Sequence, residues 1–532
     1  MKSFSSKYFS NPTSVNELIS YAVSAVFICL SFPPFKLSFL AWFAFIPLFF
    51  MFQAETSKRI ILGKSYLFLL IAHVFTLYWI CFSTVMGGVL AIAVNPVFML
   101  FPITIWLFFR KKLGSEILQL LLLGFLWIGF ELLLSLWELA FPWMILGNTQ
   151  YLFYYELQWA SVGGIWLISS FVMVLNILFY FSLKYFLSGN DTKARSLLNN
   201  ALTFLIVIFI GGFLIPFTNS DSIGKLKVGV VQPNIDPWEK WENESEIQQV
   251  EQMEKQSELL KQTNSDMSLV VWPETSVPFY LLDSKGNAFR ESLTELSIRN
   301  NFAVATGFPH LLVYEDSTTA PPSARYSEWR KKYYHHFNAA TVIDRDAEPV
   351  PYKKISLVPF AERVPWIDLY PFMKDLRFNL AGLGGWGKGL DTINFKLQDN
   401  SKAVFPTAIC YESAFPELMR SFTGKGATFL AVITNDGWWG NTSGYHQHFE
   451  FSRMRAIENH RWVVRSANNG ISGFIDQNGN VIQQTEYWVQ AEIADEIELY
   501  DNQTLYVRFG DWLPKLFLLF SLLIIIWSYF RK

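Results

Sequence analysis

Residues 404–412 read VFPTAICYE and place a single cysteine, Cys410, directly after an apolar run. The run has the length and the β-branched content of a buried strand, which ends before the acidic Glu412. A side chain at the tip of a strand is held rigidly and faces a cleft. Taken alone, the stretch fits a buried, inert cysteine better than a nucleophile, and residues elsewhere in the chain are what favour the nucleophile. The other two cysteines, Cys29 and Cys81, lie in distant apolar runs, so Cys410 has no evident disulfide partner in its own region.

Composition divides the chain into two kinds of region. Of the 532 residues 51% are hydrophobic, with 50 Phe and 20 Trp, and these crowd into the first 217 residues and the last 20. The stretch between them has ordinary soluble composition. The net charge of −2 does not point to nucleic acid as a partner. The sequence therefore predicts a membrane protein that carries one globular domain.

The apolar regions predict about eight membrane-spanning helices, because a span needs about 20 mostly apolar residues. The candidate segments are about 17–34, 37–53, 64–83, 86–109, 115–136, 161–187, 200–217 and 513–530. The expected domains are 1–217 with seven spans, a globular domain at 225–499, and a C-terminal span at 513–532.

Basic residues predict the orientation of these spans. They lie at Lys58 and Arg59, at 110–112, at Lys193 and Arg195, and at 531–532. All four clusters fall on one side if the N-terminus is cytoplasmic, which puts the globular domain outside. The aromatic loop at 137–160 is then external, either as an interfacial belt or as part of a lipid entry site. Ionisable groups inside spans are often functional, but His73 and Glu131 receive no role from the sequence.

Strands and helices alternate through the globular region, which predicts a layered α/β core. The expected strands are 226–232, 269–272, 302–307, 339–344, 404–409 and 428–434, with an amphipathic helix at 247–260 after the first. Glu274, Cys410 and Asp436 each follow a strand, where reactive groups of such folds gather. Residues 312–336 are expected to form a polar surface excursion, and the glycine-rich segment 373–392 a mobile loop.

Two ionisable residues are candidates to assist the cysteine. A thiol attacks a carbonyl as the thiolate, so it needs a base or a nearby cation. Glu274 can accept the thiol proton, and Lys354 can stabilise the thiolate and the developing oxyanion. Taken singly, each of these residues is weak evidence for a site.

A series of ordered motifs carries a resemblance to a known family. In chain order they are VQPNI (231–235), LVPF (357–360), AICYE (408–412), NDGWWG (435–440), HQH (446–448), RMRA (453–456), RSANNG (465–470) and YVRFGDW (506–512). With Glu274, Lys354 and Cys410 in their places, they resemble the nitrilase, or carbon–nitrogen hydrolase, superfamily. The resemblance is closest to its membrane branch, the apolipoprotein N-acyltransferase family, and extends over essentially the whole chain.

The resemblance implies an αββα sandwich with a Glu-Lys-Cys triad. By position Glu274 is the expected general base, Lys354 the oxyanion and thiolate stabiliser, and Cys410 the nucleophile. The family spacing selects Lys354 over the adjacent Lys353. Further implied residues are Glu362 and Glu412 as supporting acids, Tyr411 as a backbone oxyanion donor, and Trp241 at the substrate site.

The resemblance also implies an activity and its setting. The expected reaction is phospholipid-dependent N-acylation of the N-terminal S-diacylglyceryl cysteine of apolipoproteins, through a thioester acyl-enzyme in a ping-pong mechanism. This is the last step of lipoprotein maturation. The expected location is the bacterial inner membrane, with the catalytic domain on the periplasmic side, the chain a monomer, and no cofactor required.

Two positions depart from the family motifs, and two other functions are consistent with the sequence. Ala361 stands where the family usually has Gly, and Trp439 where Phe is usual. His446 and His448 suggest a metal site, but two histidines without further ligands are poor evidence for zinc, so no metal is expected. A membrane-tethered amidase that deacylates with water is the main alternative, and a non-catalytic binding module is the other.

Overall fold

The computed structural model describes residues 14–55, 57–218, 221–238, 240, 246–283, 286–375 and 385–530. Within it the chain forms two compact units. The first unit comprises residues 1–78, 88–219 and 509–532 of the chain, and the second comprises residues 79–87 and 220–508.

The part of the chain before the globular domain is built of apolar helices. Up to the start of the globular domain the chain forms α1 Ser14–Ser31, α2 Ile46–Ala54, α3 Lys58–Leu77, α4 Ile80–Ser83, α5 Val85–Leu113, α6 Glu116–Ser135, α7 Tyr154–Leu157, α8 Ala160–Gly163, α9 Ile165–Leu187 and α10 Asp191–Leu214. Among the described residues six helices are long and apolar enough to cross a membrane, namely α3, α5, α6, α9, α10 and the C-terminal helix Trp512–Phe530. The first two expected spans correspond to shorter apolar helices, Leu18–Ser31 and Ser38–Ala54.

Two spans begin earlier than their apolar residues indicate, because polar caps extend them. Helix α3 starts after Ser57, whose side chain accepts a hydrogen bond from the Ile60 N–H. Helix α10 starts after Asn190, whose side chain accepts one from the Lys193 N–H. A side-chain oxygen at this position satisfies a backbone donor that the helix itself leaves unpaired.

His73 and Glu131, to which the sequence assigns no role, both have hydrogen-bonding partners. Glu131 accepts hydrogen bonds from the Leu146 N–H at 2.8 Å, the Ser169 hydroxyl at 3.0 Å and the Trp127 indole at 3.1 Å. His73 bonds through Nδ1 to the Leu69 carbonyl at 2.8 Å, and its Nε2 lies 3.0 Å from the Asn95 amide. Such partners offset the cost of burying polar groups.

The second unit contains two large β-sheets. Its strands are β1 Gly224–Gln232, β2 Leu269–Val271, β3 Ala303–Tyr314, β4 Arg325–Ser327, β5 Lys332–Ile343, β6 Tyr352–Lys353, β7 Phe395–Lys396, β8 Val404–Phe405, β9 Thr407–Ile409, β10 Leu430–Thr434, β11 Val463–Ala467, β12 Gly473–Ile475, β13 Val481–Gln484 and β14 Ala491–Leu499. Its remaining helices are α11 Glu246–Thr263, α12 Asn287–Asn300, α13 Pro416–Gly424, α14 Ser443–Asn459 and α15 Leu505–Phe509. One sheet has the order β14-β1-β2-β3-β5-β4 with β6 beside β5, and the other the order β13-β12-β11-β10-β9.

Side-chain alternation along the strands explains why the sheets stack. Val228 and Val230 of β1 belong to a core shared with β10 and β11 of the other sheet, whereas Val231 faces a second core with helices α11 and α12. Successive side chains of a strand point to opposite faces, so β1, β2, β3 and β5 each contribute to both cores. The predicted α/β sandwich is confirmed.

Glu274, Cys410 and Asp436 follow the carboxyl ends of parallel strands. β9 and β10 are parallel, as are β1, β2 and β3. The excursion expected at 312–336 is more ordered than predicted. β3 continues to Tyr314 and pairs with β5 from Tyr333 onward, so the two ends of this segment belong to a ribbon, and β4 within it also pairs with β5.

Candidate active site

The nucleophile candidate lies on a sharp turn at the end of β9. Cys410 has a φ of +53° and begins the 3₁₀ turn Cys410–Ala414. A non-glycine residue with positive φ costs about 1–3 kcal/mol, and such strain concentrates at functional sites. A nucleophile on a strained turn after a strand is presented at the edge of the sheet. Cys410 therefore lies at the end of a strand, where the sequence predicts it.

Lys354 lies among carboxylates and is almost completely buried. Its Nζ is 2.8 Å from Oε1 of Glu362 and 3.4 Å from Oε1 of Glu274, and its side chain is 1% exposed. Burial alone lowers the pKa of a lysine, but Glu362 and then Glu274 outweigh burial and hold the pKa of Lys354 above its ordinary value. The two carboxylates therefore favour the charged form of Lys354.

The neighbouring Lys353 lies in a different environment. Its Nζ is 5.0 Å from the centre of the Phe337 ring, and the residue is only partly buried, whereas Tyr352 and Lys354 on either side are buried. Alternation along β6 thus directs Lys354, and not Lys353, to the carboxylates, in agreement with the family spacing.

Glu274 is held by an asparagine that the sequence did not single out. Asn338 on β5 donates through Nδ2 to Glu274 Oε1 at 2.7 Å and to Glu362 Oε1 at 3.3 Å. The residue follows no motif and sits within a strand, so only the pairing of β3 with β5 and β6 brings it to the site. Asn338 links the two carboxylates that flank Lys354.

The surroundings of Cys410 favour the protonated form of its thiol. Burial raises the pKa of the thiol, the charge of Glu274 raises it further, and Lys354 offsets only part of the effect. A thiol in this state attacks a carbonyl only when a base removes its proton during the reaction. The cluster thus favours general-base catalysis over a preformed thiolate.

Glu412 joins the nucleophile turn to the segment that carries Lys354. Its carboxylate accepts hydrogen bonds from the Ile409 N–H at 2.7 Å, the Tyr352 hydroxyl at 2.7 Å, and the N–H groups of Ile355 at 2.7 Å and Ser356 at 3.2 Å. Glu362 similarly accepts from the Val358 N–H at 2.8 Å while it pairs with Lys354. Both acids occupy positions that suit the supporting roles expected of them.

The remaining expected residues are placed less completely. Tyr411 is buried and packs edge-on against Phe415, with ring centres 5.1 Å apart. Its assignment as a backbone oxyanion donor stays a prediction. Trp241 lies outside the described residues, as do positions 376–384 of the expected loop 373–392.

Comparisons with known proteins decide the family. Residues 227–500 match the family model described as "Carbon-nitrogen hydrolase", and residues 24–178 match "Apolipoprotein N-acyltransferase N-terminal domain". A protein of Chlorobaculum tepidum named apolipoprotein N-acyltransferase is 30% identical over 509 residues, which covers 92% of each chain. The chain belongs to the apolipoprotein N-acyltransferase family. It is therefore an acyltransferase, and the predicted resemblance is confirmed.

Other members of this family extend the match over the chain. The apolipoprotein N-acyltransferase of Geobacter metallireducens is 28% identical over 508 residues, covering 93% of this chain and 92% of that protein. "Apolipoprotein N-acyltransferase 1" of Treponema denticola is 26% identical over 551 residues, covering 97% of each. With the six long apolar helices, these matches identify a membrane protein.

Trp439, one of the two departures from the family motifs, packs against two other rings. The Trp439 ring centre lies 4.7 Å from that of Trp79 and 5.3 Å from that of His448. Trp79 belongs to the segment 79–87 that packs within the second unit, and its indole donates to the Gln447 side chain at 3.2 Å. Ala361 is buried, and its methyl group is accommodated there.

The side chain of Arg465 argues against a metal site at His448. Ligand atoms of Cys410, Asp436 and His448 lie within 4.8 Å of one another. However, Arg465 Nη2 lies 2.7 Å from Asp436 Oδ2 and 3.0 Å from His448 Nδ1. A guanidinium bound to two of the three ligands would repel a metal ion. His446 instead packs against Tyr445 with tilted rings, whose centres are 4.1 Å apart.

Lys240 is a second buried lysine that the sequence did not single out for a role. Its Nζ lies 3.0 Å from the Thr275 hydroxyl and 3.3 Å from the Glu274 carbonyl oxygen. Burial lowers the pKa of Lys240 to about 8, although the charge of Glu274 opposes this effect. Lys240 thus anchors the turn after β2, where Thr275 has a φ of +48°.

Proposed function

We propose that this protein N-acylates the N-terminal S-diacylglyceryl cysteine of apolipoproteins, with a membrane phospholipid as acyl donor. The observation that carries the proposal is the buried cluster in which Lys354 contacts both Glu274 and Glu362 beside the Cys410 turn. A cation, a carboxylate base and a thiol in one buried cluster are the groups that acyl transfer through a thioester requires.

The first half-reaction forms the acyl-enzyme. Glu274 accepts the proton of the Cys410 thiol while the sulfur attacks the ester carbonyl of the phospholipid. Lys354 and the Tyr411 N–H stabilise the resulting oxyanion. The ester C–O bond then breaks, the leaving alkoxide takes the proton from Glu274, and a lysophospholipid departs from a thioester on Cys410.

The second half-reaction transfers the acyl chain to nitrogen. The neutral α-amine of the diacylglyceryl cysteine attacks the thioester, and Glu274 accepts a proton from the attacking nitrogen. The C–S bond breaks, and the Cys410 sulfur recovers its proton from Glu274. The products are an amide and the free enzyme, so Glu274 serves both half-reactions in opposite directions.

The proposed setting is the bacterial inner membrane with the catalytic domain on the periplasmic side. The basic residues fall at the start of α3 and α10 and at the end of α5. These ends are cytoplasmic by the positive-inside rule, and the domain after α10 is then external. This orientation does not depend on whether segments 18–31 and 38–54 both cross the membrane. Two crossings return the chain to the side on which it began, as no crossing would.

Intact-mass spectrometry of the full-length protein tests the proposal. The protein is incubated with vesicles of dipalmitoyl phosphatidylethanolamine and phosphatidylglycerol, with Cys410→Ser as the control. We expect one palmitoyl adduct that neutral hydroxylamine removes and that a diacylated lipopeptide discharges to form N-palmitoyl lipopeptide. Cys410→Ser should give no hydroxylamine-sensitive adduct.

Two outcomes would contradict the proposal. If no adduct forms on Cys410 and a small amide is hydrolysed instead, the protein is a membrane-tethered amidase. If the adduct forms but only water discharges it, the apolipoprotein acceptor is wrong. The expected monomer is a separate prediction, which the mass of the detergent-solubilised particle tests.

A further inference from the structure

A buried polar cluster lies behind the nucleophile turn and takes no part in the proton transfers described above. It consists of Asp436 after β10, His448 on α14 and Arg465 on β11, and all three side chains are 0% exposed. Fully buried charged groups are costly unless they are paired, so a cluster of this kind needs a structural or chemical reason.

His448 contacts the backbone of the nucleophile itself. Its Nε2 lies 3.0 Å from the Cys410 carbonyl oxygen and 2.9 Å from the Ser413 hydroxyl, which also donates to that carbonyl at 3.0 Å. A carbonyl oxygen only accepts hydrogen bonds, so the nitrogen that faces it carries a proton. This holds both for the neutral ring with its proton on Nε2 and for the doubly protonated ring.

The opposite edge of the ring is held by the other two members. His448 Nδ1 lies 2.8 Å from Asp436 Oδ1, and Arg465 Nη2 bridges Asp436 Oδ2 and His448 Nδ1. Burial would raise the pKa of Asp436, but Arg465 and His448 hold it well below the ordinary value. Thr434 adds a hydroxyl donor to Asp436 Oδ1 at 2.7 Å. The ring therefore has one fixed orientation.

The contacted carbonyl belongs to a peptide unit with a second function. The C=O of Cys410 and the N–H of Tyr411 are the two ends of one planar unit, and in the trans form they point in opposite directions. A group that holds the Cys410 oxygen thus also sets the direction of the Tyr411 N–H. The positive φ of Cys410 makes this orientation one that the backbone does not favour by itself.

We propose that His448, oriented by Asp436 and Arg465, is a positioning residue that fixes the Cys410–Tyr411 peptide and directs the Tyr411 N–H to the oxyanion of acyl transfer. The inference rests on the proposed function, in which Cys410 is acylated. His448 carries no proton to or from substrate. Its contribution appears only in steps that form a tetrahedral oxyanion.

Two substitutions of His448 separate this role from a purely structural one. The amide of glutamine in His448→Gln reaches the position of Nε2 and can donate to the Cys410 carbonyl. The shorter side chain of His448→Asn reaches only the position of Nδ1. Each variant is assayed as the full-length protein with dipalmitoyl phospholipid vesicles and with p-nitrophenyl acetate. Alkylation of Cys410 by iodoacetamide is followed in parallel, because that displacement forms no oxyanion.

We expect His448→Asn to slow acylation of Cys410 by about 100-fold with both esters, the scale of losing an oxyanion donor. His448→Gln should stay within about 10-fold of the parent chain, since it restores the donor that positions this peptide. Alkylation by iodoacetamide should proceed at the parent rate in both variants.

The alternative outcomes are distinct. Equal acylation in the parent chain and both variants, or acylation and alkylation that fall together, would overturn the inference while the proposed function stands. If the parent chain reacts with p-nitrophenyl acetate but not with phospholipid, the proposed donor is wrong, and a selective loss in His448→Asn still supports the inference. If neither ester acylates Cys410 in the parent chain, both are wrong.

Discussion

The pairing of Lys354 with Glu362 provides a quantitative test of the site. The two charged atoms are 2.8 Å apart, the lysine side chain is 1% exposed, and that of Glu362 is 15% exposed. The perturbations are Lys354→Met, Glu362→Gln and the two together. In Lys354→Met, Glu362 and Glu274 lose the cation that they share.

The magnitude follows from the geometry. Opposite charges about 4 Å apart attract by about 4 kcal/mol at an effective dielectric constant of about 20. Removing one partner of a buried pair costs about 3–5 kcal/mol. In a domain of this size about 1 kcal/mol shifts the unfolding midpoint by roughly 2–4 °C, so Lys354→Met should lower it by about 10 °C. The double variant should lose much less than the sum of the single losses, because the second change removes a carboxylate that was already unpaired.

The assay is thermal unfolding of the detergent-solubilised chain, followed by tryptophan fluorescence for all four proteins. Lys225 and Glu496 provide a matched control pair. They are 2.7 Å apart, but their side chains are 56% and 47% exposed. Solvent screens such a pair, so Lys225→Met and Glu496→Gln should be additive within error. Additive losses in the Lys354 cycle as well would refute the reasoning, since they would mean that the lysine is not held by Glu362.

Three further predictions concern residues around the base. In the parent chain the free energy of unfolding should rise above a pH of about 8, because the buried Lys240, with a pKa of about 8, loses its proton at lower pH than the unfolded lysine does. Lys240→Met should abolish this rise, and the unfolding midpoint measured against pH tests it. Gly307→Ala should lower the unfolding midpoint and slow acylation. A Cβ at this position would lie 2.5 Å from the backbone N of the residue after Glu274 and 2.9 Å from the Glu274 Cα, at a cost of about 1–3 kcal/mol. In the control, Gly424→Ala, the nearest contact of the added Cβ is 3.9 Å away, so neither quantity should change. Asn338→Ala should slow acyl-enzyme formation by about 10- to 100-fold in a rapid-quench measurement, the scale found for groups that orient a reacting side chain, and an unchanged rate would exclude this role.

The broad architecture was predictable because its signals are local. Apolar length located the six long helices, and the alternation of apolar runs located β1, β2, β3, β5 and β10. Helix starts were less predictable, since polar caps such as Ser57 and Asn190 lie outside the apolar pattern. The ribbon formed by β3 and β5 was missed because its outer part is polar, and pairing between strands is not a local property.

The site was predictable only in part. Glu274 and Cys410 follow apolar runs and were found for that reason, while the choice of Lys354 over Lys353 relied on the family resemblance. Asn338 and Lys240 had no signal of their own as site residues. Their roles depend on contacts with Glu274 across 64 and 34 residues of sequence.

The sequence by itself determined that the chain has membrane helices, an α/β domain and one cysteine at a strand end. These features depend on hydrophobic periodicity along the chain, which neighbouring residues encode. Only the tertiary structure decided the partners of the charged groups. Lys354 is charged because carboxylates 80 residues before it and 8 residues after it meet at its Nζ. The Cys410 carbonyl bonds to Ser413 in its own turn and also to His448, a helix residue 38 positions later that only the fold brings to it. Burial and charge pairing depend on distances in space between residues that are far apart in the sequence, and the pattern of neighbouring residues does not contain those distances.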